Sequence, residues 1–279
     1  PVAMPELPEV ETVCRGLHSR MAGRVLRLVE VRRRDLRQAM PADFAQRVQG
    51  RTILRIDRRA KYMQWHLDDQ TVVLGHLGMS GSMCIQSEPL PTPKTHDHVR
   101  FQLSDGGAVV YNDPRRFGLL LLTTQAQLGK HPLLKKLGPE PLEPSFTAER
   151  LRDQLQSRRV PIKAALLDQA VVAGLGNIYV CEALYRAHIS PLRVAASLTL
   201  AEAKRLQPAI VAILEAAIAA GGSTLRDYVK ADGELGYFQH AFAVYDQEDR
   251  SCPTPGCKGH IHRLTQTGRS TYYCPRCQK

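Results

Sequence analysis

The spacing of apolar and polar positions changes character twice along this chain. Just after the start, Val10, Val13, Leu17 and Met21 recur at helical spacing behind Pro8, a residue that a first helical turn tolerates. Short apolar, β-branched runs follow at 25–31, 52–56, 62–67, 71–77, 99–103 and 108–111. Ser104-Asp105-Gly106-Gly107, between the last two, reads as a hairpin connection. Many short strands separated by turns predict a sandwich or a barrel. Pro132, Pro139, Pro141 and Pro144 then break regular structure and read as a linker. Beyond them the pattern is helical, at 148–157, 162–167, 177–187 and 200–220, with Gly221-Gly222 closing the last helix. The final stretch turns to Cys, Gly, Pro and Thr. The expected division is a β domain over 1–131, a linker over 132–146, a helical domain over 147–248 and a metal module over 249–279.

Charge adds a partner to this picture. Lys and Arg number 38 against 27 Asp and Glu, a net charge of +11, which favours a polyanion such as nucleic acid or an anionic membrane surface. An apolar share of 43% is enough for packed cores and argues against wholesale disorder. No apolar run approaches the roughly 20 residues that span a bilayer, and no basic-then-apolar signal opens the chain. A cytoplasmic protein is the expectation.

Seven cysteines are unevenly spread: Cys14, Cys84 and Cys181 are single, while four crowd the C-terminus. Cys252-x4-Cys257, sixteen residues, then Cys274-x2-Cys277 forms two knuckles of soft thiolates, suited to one closed, tetrahedral, structural zinc. Two disulfides in an exported protein are the rival reading. Metal binding would supply much of the folding free energy of so short a module. The residues between the knuckles alternate as a two-stranded hairpin does. His260 and His262 read as surface residues, because four cysteines already fill the shell. Lys258, Arg263 and Arg269 make a nucleic-acid backbone a plausible target.

Pro5-Glu6-Leu7-Pro8-Glu9-Val10-Glu11-Thr12, together with a four-cysteine finger, resembles the formamidopyrimidine-DNA glycosylases. The likeness continues through Arg59-Ala60-Lys61-Tyr62, His76-Leu77-Gly78-Met79-Ser80-Gly81, His96-Asp97-His98 and Asp113-Pro114-Arg115-Arg116-Phe117-Gly118. It extends to Gly138-Pro139-Glu140-Pro141-Leu142, Gly174-Leu175-Gly176-Asn177-Ile178-Tyr179 and Gly236-Tyr237-Phe238. Such strings, in the family's order across nearly the whole chain, are hard to assemble by chance. The resemblance implies an α+β protein: an N-terminal two-layer β-sandwich with flanking helices, then a helical domain with a helix–two-turns–helix element and a zinc finger. It implies a bacterial, nucleoid-associated monomer that acts as a bifunctional glycosylase and AP lyase, excising oxidised purines from duplex DNA.

The chemistry calls for an amine nucleophile that attacks the sugar C1′ and forms an iminium, which acidifies the neighbouring proton for elimination. By resemblance Pro5 is that nucleophile, Glu6 protonates the deoxyribose ring oxygen, and Glu9 supports it. Lys61 and Arg269 sit at the lesion's phosphates. Asn177 opens a helix where N–H groups favour a phosphate. The target base must leave the stack, and Met79, Arg115 and Phe117 match the trio that fills the hole. His96 and Tyr237 are expected to contact DNA, and Lys163 the damaged base or its phosphates. Ser223–Gly236 corresponds to a mobile base-recognition loop.

Two other readings compete. The related branch for oxidised pyrimidines shares the nucleophile and the finger but not Leu7-Pro8 or the Met79 loop. A non-catalytic DNA-binding zinc-finger protein fits the charge and the finger, and Pro5, Glu6 and Lys61 argue against it. Two departures stand out. The first cysteine knuckle is x4 where x2 is common in the family. Pro1-Val2-Ala3-Met4 precedes Pro5 and is read as an expression remnant, ahead of an upstream start or a real extension; an amide-bonded Pro5 nitrogen is no nucleophile.

Overall fold

A computed structural model of the chain describes residues 4–223, 231–232 and 236–279. It forms two compact units, one holding the chain up to Lys135 together with Ala220–Tyr237, the other Lys136–Ala219 with Phe238–Lys279.

The first unit begins with α1 (Leu7–Met21), in which Leu7, Val10, Val13, Leu17 and Met21 form one buried stripe. Two antiparallel sheets follow. β1 (Leu26–Val31), β6 (Asp97–Leu103), β7 (Ala108–Asn112) and β5 (Ser82–Gln86) make one, in the order β1-β6-β7-β5. β2 (Ile53–Arg59), β3 (Tyr62–Leu67), β4 (Thr71–His76) and β8 (Leu119–Thr124) make the other, in sequence order. Short helices α2 (Phe44–Val48) and α3 (Gln125–Leu128) flank them. The period-two side chains Met63, Trp65 and Leu67 of β3 and Val99, Phe101 and Leu103 of β6 share one core, where the Trp65 and Phe101 rings meet edge-on at 4.9 Å. The predicted hairpin joins β6 to β7, with Gly106 and Gly107 at φ +87° and +72°, a region open to glycine.

Two strands escape the sequence pattern. β8 opens as an unbroken leucine run, whose periodicity does not separate strand from helix. β5 is five residues long and follows a glycine turn that reads as loop.

The second unit holds α4 (Ala148–Leu155), α5 (Ile162–Leu167), α6 (Asn177–Arg186), α7 (Leu200–Ala219) and the hairpin β9 (His262–Gln266) and β10 (Arg269–Tyr273). Glu182 of α6 is fully buried and accepts the N–H groups of Ala243, Val244 and Tyr245 at 2.8–3.0 Å. Burial pushes this carboxyl up, against those three donors. It pins the strand of chain that leads to the finger. No described helix is long and apolar enough to cross a membrane.

Candidate active site

Pro5 is buried directly ahead of α1, and Glu6 is the helix N-cap in extended backbone. Glu6 and Glu9 form a capping box, in which the Glu6 N–H donates to Glu9 Oε2 at 2.9 Å. The other Glu9 oxygen accepts from both the N–H and the hydroxyl of Ser223, at 2.9 and 3.0 Å. Glu6 and Glu9 are each no more than 3% exposed. One carboxylate therefore fixes the entry to α1 and the chain just past α7 together.

Lys61 lies on the tight turn between β2 and β3, behind Ala60 at φ +52°, and is buried. Its basic run splits in function. Arg58 donates to Glu11 of α1 at 2.8 Å and to the Ala60 carbonyl at 3.1 Å, which ties this turn to α1. Burial pushes Glu11 up, but Arg58 and Arg15 outweigh it and hold the carboxyl below its ordinary value.

His76 pairs with Tyr62 across β4 and β3, the rings 4.8 Å apart. Burial, then the charges of Lys61 and Arg37, hold its pKa down at about 4, and its Nδ1 accepts the Gly78 N–H at 2.9 Å. The folded ring is neutral. Below the ordinary value of 6.5 the unfolded chain binds a proton that the folded chain refuses. This contribution to stability is complete above that pH and is lost as pH falls toward about 4. Melting temperature should thus fall more steeply between pH 6.5 and 4 in the wild type than in His76→Asn, whose amide oxygen accepts from Gly78 without titrating. Parallel pH profiles would remove His76 from this account.

Met79, Arg115 and Phe117 sit on two turns that Asp113 binds together. Asp113, with no exposed surface, accepts from the Ser80 hydroxyl at 2.7 Å, the Tyr111 hydroxyl at 2.9 Å and the Gly118 N–H at 2.9 Å. The Arg115 N–H donates in turn to Ser80 Oγ at 3.2 Å. Gly78, at φ +64°, lets the Met79 turn close on this frame, because a Cβ there would stand 2.4 Å from the Phe117 carbonyl carbon. Phe117 is 43% exposed, with the Arg115 guanidinium 4.6 Å from its ring centre. Met79 is half-buried. His96 is exposed, and its carbonyl accepts the Asp113 N–H at 3.1 Å. Tyr237 is exposed and bridges Ser223. Of the loop read as 223–236, residues 224–230 and 233–235 lie outside the described residues.

In the second unit Asn177 opens α6 behind Gly176 as N-cap, and its side-chain amide donates to the Ser270 carbonyl at 2.9 Å. Arg269 begins β10 and is exposed, directly after Thr267 and Gly268, both at positive φ. The four finger sulfurs lie within 4.8 Å of one another, Cys252 to Cys277 at 3.6 Å and Cys257 to Cys274 at 3.9 Å. A tetrahedron of Zn–S bonds near 2.3 Å requires edges of about 3.8 Å, so the donor set fits one structural zinc. Gly259 allows the close approach, since a Cβ there would lie 2.9 Å from Cys274 Sγ. The two extra residues of the wide knuckle carry Thr254 to Tyr185, whose hydroxyl it meets at 2.7 Å.

A family model described as the formamidopyrimidine-DNA glycosylase N-terminal domain matches residues 4–120, one described as that enzyme's H2TH domain matches 137–229, and a zinc finger found in FPG and IleRS matches 252–279. The chain belongs to the formamidopyrimidine-DNA glycosylase family. It is 51% identical over 283 residues to a formamidopyrimidine-DNA glycosylase of Cereibacter sphaeroides, with 99% of this chain and all of the relative covered. A second glycosylase of this name, from Rhodopseudomonas palustris, is 52% identical over 293 residues, with 99% and 100% covered. Among solved structures, Lactococcus lactis Fpg bound to abasic-site DNA superposes with a TM-score of 0.90 at 34% identity, over 99% of this chain and all of that one. The MutM (FPG) protein of Thermus thermophilus does so at 0.87 and 39%, over 98% of each. The α+β class with its β-sandwich, helical H2TH region and finger is the family's architecture.

Lys163, expected at the damaged base or its phosphates, has no exposed surface; its ammonium donates to the Ser270 carbonyl at 2.9 Å and to Thr271 Oγ1 at 2.7 Å. Sequence reasoning also missed Asp113, Ser80, Ser223 and the neutral His76. The signal nearest to them was the i, i+3 spacing of Glu6 and Glu9, a capping box whose other carboxylate oxygen Ser223 occupies.

Proposed function

We propose that this chain is a bifunctional DNA glycosylase and AP lyase that excises oxidised purines, 8-oxoguanine and formamidopyrimidines among them, from double-stranded DNA. The observation that carries the reading is the buried cap at the start of α1, where Pro5 and Glu6 are adjacent and Glu9 holds the backbone between them and Ser223. Complexes of the Lactococcus relative with Fapy-dG and abasic-site DNA support the substrate class.

A free Pro5 nitrogen attacks C1′, the bond to the base breaks and the base leaves with its electron pair. Glu6 protonates the ring oxygen as the sugar opens to the iminium. Loss of a C2′ proton then expels the 3′ phosphate, and a second elimination expels the 5′ phosphate. Lys61 and Arg269 are read as the cations that stabilise these leaving phosphates, a task for charge-assisted hydrogen bonds. Met79, Arg115 and Phe117 occupy the gap in the stack, while His96, Asn177 and Tyr237 hold the backbone. The zinc is structural and takes part in no step. The division into 1–131, 132–146, 147–248 and 249–279, and action at the bacterial nucleoid, belong to the same reading.

The test is borohydride reduction of the protein, beginning at Pro5, on duplex DNA carrying one 8-oxoguanine. A covalent adduct at Pro5 is expected. No adduct on this duplex, with an adduct on dihydrouracil DNA, would move the chain to the pyrimidine branch, and none on either would leave a non-catalytic binder.

A further inference from the structure

We infer that Lys163 is a positioning residue that sets Arg269 through the Ser270 carbonyl without touching DNA itself. The inference rests on the glycosylase reading above and deepens it.

A lysine with no exposed surface has exchanged water for protein acceptors, and a buried ammonium is tolerated only where such acceptors are well placed. Here the Ser270 carbonyl and the Thr271 hydroxyl, on the two residues of β10 that follow Arg269, accept from its ammonium. The Ser270 carbonyl receives Lys163 on one side and the Asn177 amide on the other, at 2.9 Å each, so both of its lone pairs are used and the peptide plane beyond Arg269 is fixed. Thr271 passes the restraint on. Its hydroxyl accepts from Lys163 and donates to Gln266 at 2.8 Å, and Gln266 is the residue paired with Arg269 across the hairpin. Gln266 in turn donates to the Pro191 carbonyl at 3.3 Å.

Both strands are therefore tied down beside the turn of Thr267 and Gly268, where Arg269 opens β10 and is exposed to solvent. An exposed arginine on a free two-stranded turn would sample many orientations; on this frame its direction is set before DNA arrives. The Ser270 carbonyl also accepts the Asn177 amide, a bond that remains when Lys163 is replaced, so Asn177 keeps its own anchor.

The test compares wild type, Lys163→Met, Arg269→Ala and the double variant. Each is assayed for single-turnover cleavage of 8-oxoguanine duplex and for the salt dependence of binding to duplex carrying a tetrahydrofuran abasic analogue. Zinc content and melting temperature accompany each variant. Lys163→Met is expected to slow cleavage about 10- to 100-fold, the scale of lost supporting contacts. In the Arg269→Ala background it should change the rate less than about twofold and leave the salt slope unaltered, because its route to DNA is gone. Multiplicative losses in the double variant, or a further fall in slope of about 0.9, the signature of one more phosphate contact, would overturn the proposal.

Should Lys163→Met lose zinc or fold poorly, Thr271→Val removes one acceptor at nearly constant volume. It should show a smaller loss, again absent in the Arg269→Ala background, and a wild-type rate would equally overturn the proposal. Failure of the glycosylase reading is separate: it appears as no Pro5 adduct in the wild type.

Discussion

Protein carrying any residue ahead of Pro5 should form no borohydride adduct on 8-oxoguanine duplex, and release of Met4 should raise strand incision by at least about a thousandfold. The cause is electronic. In an amide the nitrogen lone pair is shared with the carbonyl, whereas a terminal secondary amine keeps it and titrates near the usual α-amino value of about 8. Pro5 is buried beside a capped helix start, so the fold holds the groups around it in place. The mass of the trapped N-terminal peptide checks the result. Equal incision by blocked and unblocked protein would take the nucleophile away from Pro5.

Replacing Asp113 by alanine should cost about 3–5 kcal/mol, read as a fall of roughly 10 °C in melting temperature, and should depress lesion cleavage as well. Asp113 has no exposed surface and serves the Ser80 and Tyr111 hydroxyls and the Gly118 N–H. Its removal leaves all three donors buried without that acceptor, and the turns bearing Met79 and Phe117 lose their common tie. Tyr111→Phe removes one donor together with its need and should cost only about 1 kcal/mol. An Asp113→Ala protein as stable as wild type would show that the two turns stand without this hub.

How much of this was legible beforehand depends on the range of the interaction concerned. The apolar stripe of α1, the paired periodicity of β3 and β6, and the glycines between β6 and β7 are local facts, and the structure repeats them. The four cysteines are equally local, and their spacing carries its own chemistry. By contrast, Asp113 is an unremarkable acid in a turn until Ser80, 33 residues earlier, is folded against it. Lys163 reads, by resemblance, as a contact to the damaged base or its phosphates, and only the hairpin 107 residues later shows which acceptors its ammonium meets inside. Strand β8 failed for a different reason, because a run of leucines carries no period to read.

The bond between Ser223 and Glu9 spans 214 residues, which gives the molecule an order of assembly. Closing so long a loop is an entropic debt that local structure cannot discharge early, so this contact belongs to the last stages of folding. On the ribosome the helix that follows Pro5 emerges long before Ser223, which completes the hydrogen bonding of Glu9. A nascent fragment thus lacks the finished cap. The hydrogen bonding around Glu6 and Glu9 is therefore finished only after both sheets of the sandwich and helices α4 to α7 have been synthesised.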